Sequence, residues 1–174
     1  MADHSYTSRR EMDSYFFNTA VTLLVPLGFL LLQAVVPKTF PRAEIVDLPL
    51  IVVIFFSVSR RSPVAGTMTG TIIGLMQDGL TNHPFGVFGI AKAIIGYAAA
   101  SIGFAIDVDN TVNRLIINFV FSLVQSGLLW MISHLLLGDA TFHLSPVHEL
   151  LRAAVNAGVS VPIFFLLDRF RLRE

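Results

Sequence analysis

Apolar runs of about 20 residues recur along this 174-residue chain, and they restrict its possible folds more than any other feature. Hydrophobic residues make up 54% of the sequence and charged residues 14%, whereas a soluble domain carries about 25% charged residues. A run of this length crosses the hydrocarbon core of a bilayer as one α-helix. The sequence therefore predicts an all-α polytopic membrane protein with a single compact domain.

Six transmembrane helices are predicted, over residues 16–36, 45–58, 63–80, 85–106, 114–137 and 147–167. They form a transmembrane domain over residues 16–168, between an N-terminal tail of residues 1–15 and a basic tail of residues 169–174. Pro37 is expected to close the first helix. The second helix covers only about 21 Å of a ~30 Å core, so whether it spans fully stays open.

The arginines indicate the orientation, because cytoplasmic loops of membrane proteins are enriched in Lys and Arg. With both termini in the cytoplasm, the inside segments hold eight arginines and the outside loops hold only Lys38 and Arg42. The eight are Arg9, Arg10, Arg60, Arg61, Arg114, Arg169, Arg171 and Arg173. A five-span arrangement with a re-entrant second helix would move the basic tail outside, so six spans are preferred.

Small residues repeat along the third and fourth helices, which a short polar hairpin joins. The third helix carries glycines four apart, and the fourth carries a second series. The two series are Gly66, Gly70 and Gly74, and then Gly86, Gly89, Ala93, Gly96, Ala100 and Gly103. Such stripes let helix backbones approach closely in lipid. The stripes either pack these two helices together or present one face, with Tyr97, to a partner's helix.

Two charged residues lie within this helical hairpin, where a charge costs roughly 2.5–3.5 kcal/mol near the bilayer centre. Asp78 lies near the outer end of the third helix and Lys92 lies inside the fourth. Side chains lean towards the N-terminus of their helix, which aims Lys92 towards the depth of Asp78. One hypothesis is an ion pair between them; the other is that Lys92 reaches the headgroups alone and Asp78 caps the hairpin.

Further polar residues fall on the same outer side and extend this pair into a predicted outer polar cluster. Its members are Asp78, His83, Lys92, His134, Glu149 and Arg152. The histidines lack metal-ligand spacing, so no metal site is predicted. No nucleophile stands beside a base and no phosphate loop is present, which gives no support for an enzyme or a cofactor. The zero net charge gives none for nucleic-acid binding.

The spacing of four residues in the hairpin resembles the signature of the rod shape-determining protein MreD family. Gly74 is followed by Asp78 four residues later, by Gly86 eight further on and by Tyr97 eleven beyond that. The LLLQ sequence at 30–33 and the apolar run from Pro162 to a basic end also resemble the family. Lys92 departs from it, in a stretch that is usually apolar or small.

The resemblance implies a fold, a function and partners. The fold would be similar to the substrate-binding (S) subunit of energy-coupling-factor transporters. The protein would be a non-enzymatic scaffold of the elongation (Rod) complex in the bacterial inner membrane, where it would help control side-wall peptidoglycan synthesis and rod cell shape. Its partners would be an MreC-like single-span protein, membrane lipid and, indirectly, the MreB filament, RodA and a class B penicillin-binding protein.

Two other functions remain possible from the residues. The outer polar cluster is also what a solute-binding subunit of a vitamin-type transporter could show. Ligand pockets favour convergent aromatic side chains, however, and Trp130 is the single tryptophan of the chain. An ion or proton pathway would need polar groups across the whole bilayer, and the inner half has only scattered Asn and Gln.

Overall fold

A computed structural model of the protein describes residues 16–40, 44–81, 84–138 and 145–172. Within these ranges the chain forms six α-helices and one antiparallel pair of two-residue strands. The helices are α1 Thr19–Thr39, α2 Leu48–Arg60, α3 Pro63–Thr81, α4 Val87–Ile102, α5 Thr111–Leu135 and α6 Pro146–Asp168. The strands are β1 Phe16–Phe17 and β2 Arg171–Leu172.

The helices lie near the predicted ranges, with differences at their ends. Pro37 does not close the first helix, since α1 continues to Thr39. The second helix begins at Leu48 after the N-cap Asp47, and α4 ends at Ile102 instead of 106. Helix α4 stops early because Gly103 and the next two residues form a turn. Arg42, His83 and the N-terminal tail lie outside the described residues.

The bundle has two ends, named here by what they carry. The arginine end holds Arg60, Arg114, Arg169 and Arg171, where α2 and α6 finish and α3 and α5 begin. The hairpin end holds the connection between α3 and α4, the end of α5 and the start of α6. Helices α3 and α4 pack most closely, and α5 packs mainly against α6.

Helix α2 occupies the centre of the bundle. Every residue from Pro49 to Ser59 is buried, and all five other helices contact it. Phe55 packs edge-on against the rings of Phe17 and Phe164, with centroids 5.7 and 5.0 Å apart. The 13 residues of α2 extend over only about 20 Å. The apolar run from Leu48 to Phe56 fits this position, because a helix buried on all sides has no polar face.

Two helices, α5 and α6, are long and apolar enough to cross a membrane, judged by length and composition in the described residues. Outward-facing positions on α3, α4, α5 and α6 carry exposed large apolar side chains such as Met68, Ile94, Val120 and Phe165. A surface of this kind suits contact with lipid and not with water. The all-helical, membrane-spanning character predicted from the sequence is thus present in the structure.

Candidate functional site: a buried polar cluster at the start of α2

Helix α2 begins inside the protein, and side chains from other helices satisfy its first backbone groups. The Asp47 carboxylate accepts a hydrogen bond from the Leu50 N–H at 2.9 Å, as an N-cap does. The Leu48 N–H donates to Gln33 Oε1 on α1 at 3.0 Å. Pro49 has no N–H to satisfy, which suits the first turn of a helix.

Asn156 on α6 completes this arrangement. Its Oδ1 accepts from the Asp47 N–H at 3.0 Å, and its Nδ2 donates to Ser122 Oγ on α5 at 3.1 Å. Both Asn156 and Asp47 are almost fully buried. The start of α2 is therefore held by α1, α5 and α6 together. Each of these contacts matters for stability, because a buried N–H without an acceptor would cost about 1–3 kcal/mol.

Lys92 on α4 provides the opposite charge to Asp47. Its Nζ lies 2.9 Å from Asp47 Oδ2 and 3.2 Å from Oδ1, and the two side chains are 0% and 2% exposed. Gln125 on α5 joins both partners, since it accepts from Lys92 Nζ at 3.1 Å and donates to Asp47 Oδ2 at 2.6 Å. The ammonium thus has three oxygen acceptors within 3.2 Å, and the Phe88 ring centroid lies 4.8 Å from Nζ.

Arg152 and Glu149 on α6 extend the cluster towards the hairpin end. Arg152 lies 3.7 Å from Asp47 Oδ2 and 3.8 Å from Glu149 Oε2, between two carboxylates. Glu149 accepts a hydrogen bond from Ser126 Oγ on α5. The side chains of Arg152 and Glu149 are 20% and 15% exposed, so the cluster opens outward from its fully buried part.

The buried part of the cluster lies deep in the bundle. Asn156 is close to the middle of the 23-residue α6, and Gln125 is about 21 Å along α5 from its start at Thr111. Asp47, which contacts both, is therefore near the middle of the bundle. Non-helical backbone at membrane depth is tolerated only where protein or water surrounds it, and the residues around Asp47 meet that condition.

Asp78 does not pair with Lys92, so the predicted ion pair is wrong. The Asp78 carboxylate instead accepts from the backbone N–H groups of Gly86, Phe88 and Gly89 at 2.9, 3.0 and 3.2 Å. It thereby caps the start of α4, as the alternative interpretation held. That alternative also placed Lys92 at the headgroups, which is wrong because Lys92 is fully buried.

The glycine ladder of α3 faces α4. A Cβ at Gly66, Gly70 or Gly74 would overlap the backbone carbonyls of Gly96, Lys92 and Phe88 respectively. On α4, a Cβ at Gly96 would overlap the Gly66 carbonyl, and one at Gly89 would meet the Leu75 side chain at 2.8 Å. Gly86 needs its glycine for another reason, a φ of 102°. The α3 stripe therefore packs against Gly89 to Gly96 of α4 and is not free to receive a partner, whereas Gly103 packs on Val58 of α2.

The other predicted site residues lie apart from the buried cluster. Tyr97 is 57% exposed on the outer face of α4. His134 is exposed and stacks on Trp130, with ring centroids 5.1 Å apart. The structure thus brings Lys92, Glu149 and Arg152 together, whereas Asp78 and His134 make other contacts.

Sequence reasoning missed the residue at the centre of the cluster, Asp47. One feature of the sequence indicates the role of Asp47. It lies two residues before Pro49, and an aspartate in this position is typical of an N-cap followed by proline in the first turn of a helix. Because Asp78 caps α4, a buried Lys92 also required a carboxylate from another part of the chain. Gln125 and Asn156 are 78 and 109 residues from Asp47 along the chain, so no local pattern indicates that they share it as a target.

The four charged groups of the cluster sum to zero: Asp47 and Glu149 against Lys92 and Arg152. Their arrangement neutralises charge inside the bundle and joins α2, α4, α5 and α6 at one point. Among the described residues, no group of three or more His, Cys, Asp or Glu side chains could hold a metal ion. The chemistry that the geometry supports is recognition and mechanical coupling between helices.

Comparison with known proteins adds the family. The model of the family described as rod shape-determining protein MreD matches residues 14–171, nearly the whole chain and all six helices. No curated protein and no solved structure matches the chain. Since the match covers far more than half of the sequence, this chain belongs to the MreD family of rod shape-determining proteins.

Proposed function

We propose that the protein is a non-enzymatic scaffold of the bacterial elongation complex. In this role it binds an MreC-like single-span protein in the inner membrane and helps control side-wall peptidoglycan synthesis. The observation that carries the proposal is the family match over residues 14–171, since the family determines rod shape. Through the MreC-like partner it would act with the MreB filament, RodA and a class B penicillin-binding protein.

The geometry supports a scaffold more than a chemical site. In the buried part of the cluster, Asp47, Lys92 and Gln125 are hydrogen-bonded to one another, and Asn156 holds the backbone N–H of Asp47. These bonds fix the relative positions of four helices. A rigid bundle with an apolar outer surface can present a constant face to the transmembrane helix of a partner.

The proposed partner surface is the outer face of α4 around Tyr97. The ladder glycines turn towards the interface of α3 and α4, whereas Tyr97, Ile90 and Ile94 point away from it and are 44–57% exposed. Tyrosine is common at protein interfaces because its ring buries a large area and its hydroxyl still finds a hydrogen-bond partner.

Co-purification from mild detergent tests the partner. The expected result is that a single-span protein with a periplasmic domain co-purifies with the intact chain, and that Tyr97→Ala reduces its yield severalfold. Val120→Ala, on the exposed face of α5, is the matched control and should leave the yield unchanged. The scaffold proposal would be refuted if no such partner co-purified with the chain and a small ligand co-purified instead.

We also propose six membrane crossings, with both termini in the cytoplasm and the arginine end at the cytoplasmic face. In this arrangement α2 makes the part of the second crossing that lies towards the arginine end. The chain has no cysteine, so single cysteines can report sidedness directly. Phe85→Cys at the hairpin end should react with a membrane-impermeant maleimide in intact spheroplasts, and Asp107→Cys should react only after lysis. The reverse result would overturn the orientation.

A further inference from the structure

Arg61, in the connection between α2 and α3, is a buried cation without a partner in the part of the chain that the structure describes. The residue is 8% exposed, and its Nε and Nη1 atoms are enclosed and make no hydrogen bond. No salt bridge joins it to an acidic side chain within the described ranges. A buried guanidinium without hydrogen-bond partners is costly, and an anion beside it would offset that cost.

The backbone at Arg61 adds to this observation. Its φ of 53° and ψ of 27° are left-handed, the conformation that follows many helices and that favours glycine. Arg61 is the one non-glycine residue with positive φ among the described residues. An arginine here is strained by its backbone and left unpaired by its neighbours. Both costs have a physical reason if the side chain of Arg61 binds a group that the described residues do not supply.

The acidic groups nearby are already engaged. Arg114 and Arg171 each contact both Asp109 and Asp168, at distances between 2.6 and 3.6 Å, which makes a closed ring of four alternating charges. This ring joins the start of α5 to the end of α6 and to β2, and it is neutral by itself.

Outside the ring, the described part of the arginine end carries three arginines, Arg60, Arg61 and Arg169, and one aspartate, Asp107. The Asp107 carboxylate accepts the Asp109 N–H in an exposed loop. The start of α3 directly after Arg61 contributes the positive end of a 19-residue helix dipole. The negative end of the α2 dipole lies at the same place and offsets the positive end of α3, so the excess positive charge there comes from the arginines.

We propose that Arg61 binds a phosphate group, and that this phosphate belongs to the headgroup of a phospholipid in the leaflet at the arginine end. A guanidinium matches phosphate because its N–H groups form two parallel hydrogen bonds to two phosphate oxygens. Basic pockets between helices on the cytoplasmic side are a known type of site for lipid headgroups. The inference rests on the membrane location of the arginine end and not on the scaffold role.

Thermal unfolding of the full-length protein in phospholipid-free detergent tests this proposal. Three probes are added in turn: phosphatidylglycerol, a diacylglycerol glycolipid with the same acyl chains and no phosphate, and inorganic phosphate. We expect phosphatidylglycerol to raise the Tm by several degrees and the glycolipid to have no comparable effect. A similar rise in Tm with inorganic phosphate would support a phosphate site at Arg61. It would also show that the free anion can fill this site without a lipid.

Variants connect the effect to the residue. Arg61→Gln should fold at least as stably as the wild type without lipid, because it removes an unpaired charge, and its apparent affinity for phosphatidylglycerol should fall at least tenfold. Arg61→Gly, which suits the left-handed backbone, should behave in the same way. Arg169→Gln, at an exposed arginine of the same end, is the matched control and should respond like the wild type.

Two results would overturn the proposal. In the first, phosphatidylglycerol acts no better than the phosphate-free glycolipid, or it acts equally on wild type and both Arg61 variants. In the second, both variants fail to fold in phospholipid-free detergent while the wild type folds there. The second result would show that the guanidinium stabilises the bundle without any phosphate.

Discussion

Removal of the Lys92 charge should be among the most damaging single substitutions in this protein. In Lys92→Met the side-chain volume is nearly kept, but the Asp47 carboxylate, 2% exposed, loses the ammonium that lies 2.9 Å away. At an effective dielectric constant of about 20, this attraction is worth about 6 kcal/mol. Arg152, 3.7 Å from the same carboxylate, remains and offsets part of the loss.

The expected destabilisation is therefore about 3–5 kcal/mol, the usual cost of breaking a buried ion pair by removing one partner. This is a large part of the ~5–15 kcal/mol that typically stabilises a folded domain. The assay is equilibrium unfolding in mixed micelles, followed by the circular dichroism of the helices. The Asp47→Asn variant should lose a similar amount, because it leaves Lys92 charged and unpaired in the same place.

The double variant Asp47→Asn with Lys92→Met separates charge from shape. Asparagine keeps the oxygen that caps Leu50, and no unpaired charge remains between the two positions. The double variant should therefore be more stable than either single variant, with a coupling energy of at least about 2 kcal/mol. Our reasoning would be refuted if Lys92→Met cost less than about 1 kcal/mol, or if the two losses simply added.

Three further predictions follow from the packing, and the same unfolding assay checks each of them. Gly70→Ala should cost about 1–3 kcal/mol because its Cβ would overlap the Lys92 carbonyl; Gly127→Ala, whose Cβ would meet nothing within 4 Å, should cost nothing or stabilise α5. Equal effects of these two substitutions would contradict the described packing. Asp78→Asn should cost about 2–4 kcal/mol because three N–H groups lose a charged acceptor, whereas Asp107→Asn in an exposed loop should stay within about 0.5 kcal/mol. Asn156→Leu should cost about 1–3 kcal/mol by leaving the Asp47 N–H unpaired, and an unchanged midpoint would show that water replaces the amide.

The sequence predicted the helices well because their signals are local. Apolar runs, the short hairpin and the four-residue glycine spacing each depend on neighbouring residues, and the structure places the corresponding helices near the predicted ranges. The errors at Pro37 and after Ile102 concern helix ends, which depend on local turns and capping. Packing of the glycine ladder on α4 follows from the same local spacing and agrees with the first of the two interpretations.

The polar cluster was harder to predict because its contacts join distant parts of the chain. The carboxylate nearest to Lys92 along the chain is Asp78 on the same hairpin, whereas its partner Asp47 is 45 residues away. Gln125 and Asn156 reach the same aspartate across 78 and 109 residues. Such pairings depend on how the helices are arranged, and a single sequence contains no direct record of that arrangement.

The central position of α2 has a consequence for synthesis of the protein. A ribosome delivers α2 before α5 and α6, although Gln125 and Asn156 in those helices hold its first turn. Until α5 and α6 have been made, the Asp47 carboxylate and its backbone N–H lack these two partners. Assembly of the bundle should therefore finish only after the last helix has emerged. Chains that end before α6 are expected to remain unfinished and to be substrates for membrane proteases.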